Sequence, residues 1–248
     1  MKKFRLFIIS LIIAGVVVGI KFALHKLEWE IIVLGSLHTS MVAGAIFVIG
    51  FLLSTTMADY KESERIPADF SANIENMYED AVSIHANYKK FNLKAFQNQL
   101  QQVAASFASD VRHKTNKSQL QIHKLSEHFA AMEKADVPPN FIVKFKQQQA
   151  LLTKHLLRVN YIQRIIFIPS ATILAWSIVV VTIGLLTFTE IEPFYGGMIL
   201  VAGITFILVY ILQLIHVIRT PFHTAGKTQD DVSLFLIDQT VEHLKKAR

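Results

Sequence analysis

The 248-residue chain has no cysteine, only 10 glycines, 6 prolines and 2 tryptophans, and just 18% charged residues. Without cysteine there is no disulfide framework, thiolate zinc site, iron–sulfur cluster or cysteine nucleophile. So little glycine and proline leaves small room for low-complexity linkers. A soluble domain carries roughly a quarter charged residues, so the missing charge should be concentrated in uncharged spans. It is: Ile31 to Ala58, Ile165 to Thr189 and Pro193 to Ile218 contain no Asp, Glu, Lys or Arg. Each run exceeds the roughly 20 residues that cross a bilayer as a helix. What the chain does have is apolar, with 52% hydrophobic residues and a mean hydropathy of +0.39.

The N-terminus begins with a basic stretch, Met1 to Arg5, followed by an apolar run from Leu6 to Ile20 of signal-peptide length. No small-x-small cleavage pattern follows, and the run continues past Lys21 through Phe22, Ala23 and Leu24, so it reads as a retained anchor. Lys21 is expected to snorkel its ammonium to the headgroups. Four membrane helices result. Lys2, Lys3, Arg5, Lys61, Arg65, Arg158 and Arg164 flank them on one side, while the loop between the third and fourth carries only Glu190 and Glu192. The positive-inside bias then places both termini and the central segment in the cytoplasm.

The segment 59–164 interleaves Lys, Glu, Gln and Asn with apolar residues at helical spacing. Phe70, Ile74, Met77, Ala81, Ile84, Tyr88 and Phe91 alternate steps of four and three, as do Leu93, Phe96, Leu100, Val103 and Phe107. Ile122, Leu125, Phe129 and Met132 continue the pattern. Beyond Pro138-Pro139, which must interrupt a helix, Phe141, Phe145, Leu152, Leu156 and Val159 make a last stripe. Such spacing marks a helical bundle. Nothing between Gly50 and Arg65 breaks a helix, so the second membrane helix should run straight into it. The expected organisation is all-α: residues 1–58 as a first transmembrane pair, 59–164 as a cytoplasmic bundle, 165–218 as a second pair, and 219–248 as a cytoplasmic tail.

The ten histidines, at positions 25, 38, 85, 113, 123, 128, 155, 216, 223 and 243, show no i, i+4 pair and no HExxH motif. Hydrogen-bonded or surface roles are the plain reading for each. His38 and His216 stand out because they lie inside membrane runs, where a titratable group is costly. There is no P-loop, GxSxG, GxGxxG or paired-carboxylate signature, so an enzyme is not expected, nor a cofactor. In 59–164, 15 Lys+Arg face 11 Asp+Glu, too even a balance for nucleic-acid binding.

The second membrane helix, read in steps of three and four, presents Ser36, Ser40, Ala43, Phe47, Phe51, Ser54 and Ala58 on one face. In a lone helix such a face could simply meet lipid and neighbouring helices. In a ring of identical helices it would build a pore with hydroxyl-lined mouths and a narrow aromatic constriction, which can gate by dewetting. Gly44 and Gly50 flank the face and would let neighbouring backbones approach.

The stretch from Ala43 to Phe51, AGAIFVIGF, resembles the pore neck of the bestrophins, in which an apolar residue and two phenylalanines at four-residue steps form the constriction. Ile168-Pro169 is similar to the Ile-Pro that opens the family's third helix. Thr220-Pro-Phe-His223, followed by Asp230, Asp231 and Asp238, is similar to its Pro-Phe and acidic tail. The order of parts agrees as well. Departures are plain: Ala43 stands where a bulkier residue is usual, and Asp59-Tyr60 where the family has paired tryptophans. The resemblance is to a divergent bacterial-type branch. It implies a homopentamer in the bacterial inner (plasma) membrane, conducting chloride or another small monovalent ion, with Ala43, Phe47 and Phe51 as the neck and Ser36, Ser40, Ser54 and Ala58 at the mouths. Membrane lipid and inorganic ions are the implied partners. Thr220 replaces an Asn calcium ligand and Lys227 interrupts the acidic run, so Asp230 and Asp231 are weak metal candidates, since a hard cation needs several convergent oxygens. Leu234, Phe235 and Ile237 give the tail an apolar surface suited to a neighbouring subunit.

Two other readings compete. A proton-driven energiser, like the larger subunit of the flagellar stator, would use hydroxyls such as Thr172, Ser177, Thr182, Thr187 and Thr205, which form no single stripe. A non-conducting membrane scaffold would use the bundle to recruit partners.

Overall fold

The structure is a computed structural model and describes residues 4–164, 169–222 and 231–247. Helix α1 spans Arg5–Lys26, strand β1 Ile32–Val33, helix α2 Ser36–Asn87, α3 Leu93–His113, α4 Ser118–Lys134, α5 Pro139–Arg164, α6 Pro169–Thr187, strand β2 Thr189–Glu190, α7 Phe194–Ile218 and α8 Phe235–Lys246. Helices α1, α2, α6 and α7 are each long and apolar enough to cross a membrane.

The all-helical expectation needs one correction, because Ile32 and Val33 pair in parallel with Thr189 and Glu190. The apolar stretch that starts at Ile31 therefore does not begin as helix. Ile32 and Val33 form β1, Leu34 and Gly35 follow outside any helix, and α2 opens at Ser36. From there α2 continues for 52 residues, roughly 78 Å at 1.5 Å per residue. Pro67 lies inside it, removing one amide donor from the ladder without ending the helix.

Two compact units form, one from residues 1–60 and 166–219, the other from 61–165 and 220–248. In the first, α1 packs on α6 and α7, and α6 packs on α7. Ala45 and Ile49 of α2 are sealed into a cluster with Ala175, Val179, Leu208, Leu212 and Ile215. On α1 the small residues Ser10 and Ala14 are buried, and Gln213 Nε2 donates to Ser10 Oγ at 3.2 Å. Gly197 sits in the first turn of α7, where a Cβ would come within 2.7 Å of Ile191 Cβ. Only glycine fits that approach.

The Lys21 expectation is overturned. Its side chain is 0% exposed and its Nζ lies 2.7 Å from Glu30 Oε1. The same ammonium donates to Thr189 O at 2.6 Å and Leu186 O at 3.4 Å. The loop after α1 folds back and supplies the counter-charge, and the carbonyls near the C-terminus of α6 supply the rest. All three N–H groups have acceptors, and a cation beside a helix C-terminus meets the negative end of its dipole.

In the second unit the predicted stripe of Phe70, Ile74, Met77, Ala81 and Ile84 is buried, and Phe70 stacks on Phe107 with centroids 3.9 Å apart. Phe96 is met by Phe91, Phe129 and Phe145. On α5 the expected Phe145, Leu152, Leu156 and Val159 are buried, and only the first position differs: Ile142 is buried, while Phe141 is half-exposed. Pro139 is the first residue of α5, where its missing N–H and fixed φ suit a helix start. Asp110 ties α3 to α4, accepting from Lys117 N at 2.9 Å, from Ser118 N at 2.7 Å, and from the Thr115 and Ser118 hydroxyls. Burial pushes the Asp110 carboxyl up, but the bonds from Ser118, Thr115 and Lys117 outweigh it and hold it below the ordinary carboxylate range.

The tail finds a partner within its own chain. Its helix α8 packs on α3 of the same chain, burying Ile237, Thr240 and Leu244. Gln97 Nε2 donates to Leu244 O and Ala247 O at 2.5 Å each, satisfying carbonyls that a helix end leaves open. Arg112 reaches Asp238 at 2.5 Å, and His243 reaches Glu75 at 2.8 Å. The apolar residues of the tail thus serve its own bundle, and of Leu234, Phe235 and Ile237 only Phe235 is exposed.

Candidate functional site

At about 100° per residue an α-helix returns to the same face every three to four residues, and α2 divides accordingly. Ala45 and Ile49 are 1% and 0% exposed. On the opposite side Ser36, Ser40, Ala43, Phe47, Phe51, Ser54 and Ala58 are all exposed, with Phe47 at 74% and Phe51 at 64%. Phe47 and Phe51 are one turn apart, about 5.4 Å along the axis. The Ser40 hydroxyl donates to Ser36 O at 3.1 Å, so it remains an acceptor toward whatever faces it. A Cβ on Gly44 or Gly50 would meet nothing within 4 Å. The face predicted from spacing is thus brought together as one uncovered stripe of a single chain.

The N-terminal end of α2 is held by groups that spacing alone did not reveal. His38 is 5% exposed. Gly35 N donates to its Nδ1 at 3.1 Å, and its Nε2 lies 2.8 Å from Thr189 Oγ1. Thr189 Oγ1 in turn donates to Leu185 O at 2.6 Å, while Thr189 O accepts from Lys21. Thr189 therefore anchors both α1 and the first turn of α2. Glu30 bridges Lys21 and His25, the latter at 2.6 Å, and His25 stacks on Phe194. Burial pushes the Glu30 carboxyl up, but the Lys21 and His25 hydrogen bonds and charges outweigh this and hold it below its ordinary value.

Toward the other end of the apolar part of α2, a cavity of about 510 Å³ lies beside Phe51, lined also by Thr55, Thr172, Trp176, His216 and Arg219. His216, the second singled-out histidine, is exposed there, and Arg219 Nη1 donates to the Thr172 hydroxyl. Of the other hydroxyls weighed for an energiser, Thr182 and Thr205 are fully buried inside the chain and Thr187 donates to Ile183 O. Asp230, Ile168 and His223 lie outside the described residues. Asp231 is half-exposed, and among the described residues no three His, Asp or Glu side chains converge on a common point. Pro221 O accepts from Val232 N at 2.9 Å, and Phe222 is buried.

These elements define a helical membrane protein in which a helical bundle is inserted between the second and third spanning helices, with one long helix entering both units. This is the bestrophin fold. Over 96% of this chain and 97% of the other, it matches a point-mutant crystal structure of a bacterial bestrophin homologue from Klebsiella pneumoniae, with a TM-score of 0.82 and 12% identity. A second variant of the Klebsiella pneumoniae protein agrees at a TM-score of 0.82 over 96% and 97% of the two chains, again at 12% identity. A third agrees at 0.79 over 98% of each, also at 12%. At the level of sequence, no family model and no curated protein matches.

Proposed function

We propose that the chain is one subunit of a homopentameric, bestrophin-like ion channel in the bacterial inner membrane, with both termini cytoplasmic. The observation that carries this reading is the uncovered face of α2, on which two phenylalanines stand between small and hydroxyl-bearing residues. A lipid-facing helix has no need of serines at both ends of its exposed stripe, whereas a ring of such helices puts them at the mouths of a water-filled path.

Ala43, Phe47 and Phe51 form the neck, and Ser36, Ser40, Ser54 and Ala58 the mouths. With a methyl at Ala43, the constriction rests mainly on two aromatic rings per subunit. An ion passes such a neck by shedding part of its hydration, and the positive ring edges suit a monovalent anion such as chloride. Gly44 and Gly50 let adjacent copies of α2 approach on either side of the face.

A chain with no cysteine offers a clean test. In a planar bilayer with asymmetric salt, the wild-type protein should carry current, and Phe47→Cys should carry current that an aqueous thiol reagent blocks. Current insensitive to the reagent, with the thiol reached only by lipid-soluble reagents, would put Phe47 on the lipid side and refute the neck.

A further inference from the structure

The hydrogen bonds around His38 run in one direction only. The Gly35 amide can only donate, so His38 Nδ1 accepts (3.1 Å) and the ring proton sits on Nε2. That proton points at Thr189 Oγ1 (2.8 Å), whose own proton is committed to Leu185 O (2.6 Å). Only the neutral Nε2–H imidazole satisfies every link. Gly35 directly precedes α2 and His38 is its third residue, so the ring does what Glu or Gln does in a capping box, accepting from the N-cap amide.

We propose that His38 is an acid-released latch on the first turn of α2. A proton on Nδ1 would turn it from acceptor to donor, setting it against the Gly35 N–H and uncapping the helix. The imidazolium would also stand near the positive end of the α2 dipole, and it would share Thr189 with the Lys21 ammonium, which holds that residue's carbonyl at 2.6 Å. The charged or titratable groups tied to this corner are Lys21 and His25 of α1, both paired with Glu30 of the following loop, and Glu190, which follows Thr189 in β2, with Glu192 two residues on. Neither α6 nor the first five turns of α7 contains a charged residue or a histidine. Glu30 is already engaged by Lys21 and His25. Acidification therefore frees the turn that bears Ser36 and Ser40. The latch stands apart from the proposed conduction, because it is read from the backbone and not from current.

The test is amide hydrogen exchange of residues 35–40 in the full-length protein in micelles at about pH 8 and about pH 5, the span in which histidine ordinarily titrates, with rates corrected for their intrinsic pH dependence. Wild-type protection should fall by about fivefold or more at the lower pH, the size of one lost cap. His38→Gln keeps the capping acceptor without a titratable ring, and its protection should not change with pH. Equal wild-type protection at both pH values would overturn the latch. So would a wild-type loss that His38→Gln retains and His25→Gln abolishes, which would assign the response to the His25–Glu30 pair. Imidazole ¹⁵N shifts give a reading that needs no folded variant. A neutral Nε2–H ring at pH 8 that becomes imidazolium at pH 5 supports the latch, and a neutral Nδ1–H ring, or one unchanged between the two, defeats it.

Discussion

Replacing Glu30 with alanine should destabilise the first unit out of proportion to the atoms removed. Lys21 is fully buried and pairs with Glu30 at 2.7 Å, and its remaining donors reach only carbonyls. Without Glu30 the ammonium stays in the interior without a counter-charge, a situation that costs about 3–5 kcal/mol when a buried pair loses one partner. Replacing the pair together tells a different story. Lys21→Met with Glu30→Ala removes both charges together, and exchanging a buried pair for uncharged packing can be close to neutral, so the double variant should be less destabilised than Glu30→Ala alone. The pairwise coupling is then the difference between the double variant and the sum of the two single variants. Thermal or denaturant unfolding of the detergent-solubilised protein at neutral pH would measure it. The reasoning fails if Glu30→Ala alone stays within about 1 kcal/mol of wild type, the range of an exposed ion pair.

Acid should weaken the same corner and the α3–α4 junction. Glu30 and Asp110 both have lowered folded values, so their contributions are complete above the ordinary carboxylate values of 4.5 and 3.8 and vanish as pH falls through the folded ones. An unfolding series below neutrality should show stability falling with pH in that range, less steeply in Asp110→Asn. At neutral pH, Asp110→Ala removes the acceptor of two backbone amides, that of Ser118 buried, and of two hydroxyls, which should cost about 2–4 kcal/mol by the same melts. Ile237→Ala opens a cavity between α8 and α3 and should cost about 2–5 kcal/mol, whereas Asp238→Ala breaks only a partly exposed pair with Arg112 and should cost under about 1 kcal/mol.

Elements marked by a periodic pattern are legible in the sequence itself. The stripe from Phe70 to Ile84 lies in the core because steps of three and four leave one face of a helix apolar, and α2 runs unbroken past Arg65 because nothing there competes with helix. The exposed face of α2 follows from the same arithmetic. What could not be read depends on distant partners. Lys21 finds Glu30 nine residues on and Thr189 on the far side of α6, and no pattern within α1 announces either. The two-residue β1–β2 pair is too short to show an alternation, and it moves the start of α2 from Ile31 to Ser36. On α5, Phe141 and Ile142 are adjacent and both apolar, and only the packing of the bundle buries Ile142 and not Phe141. The apolar tail residues mark a contact but not its owner, which is α3 of the same chain. His38 draws attention as a histidine in an apolar run, yet its fixed tautomer exists only because Gly35 and Thr189 close around it.

The neck itself is tested by replacing Phe47 and Phe51 with alanine in the same chain and measuring chloride and potassium flux from liposomes beside the melting temperature. Both rings are largely exposed within one chain. If they line a pore, every subunit loses two rings from its narrowest point, so the path should widen and wet, and flux should rise above wild type. If they only pack against neighbouring copies, each truncation opens a cavity costing about 3–5 kcal/mol, so the assembly should melt earlier and flux should not rise. A stable double variant with increased flux is the predicted result. A stable double variant whose liposomes leak no more than empty vesicles would contradict the pore.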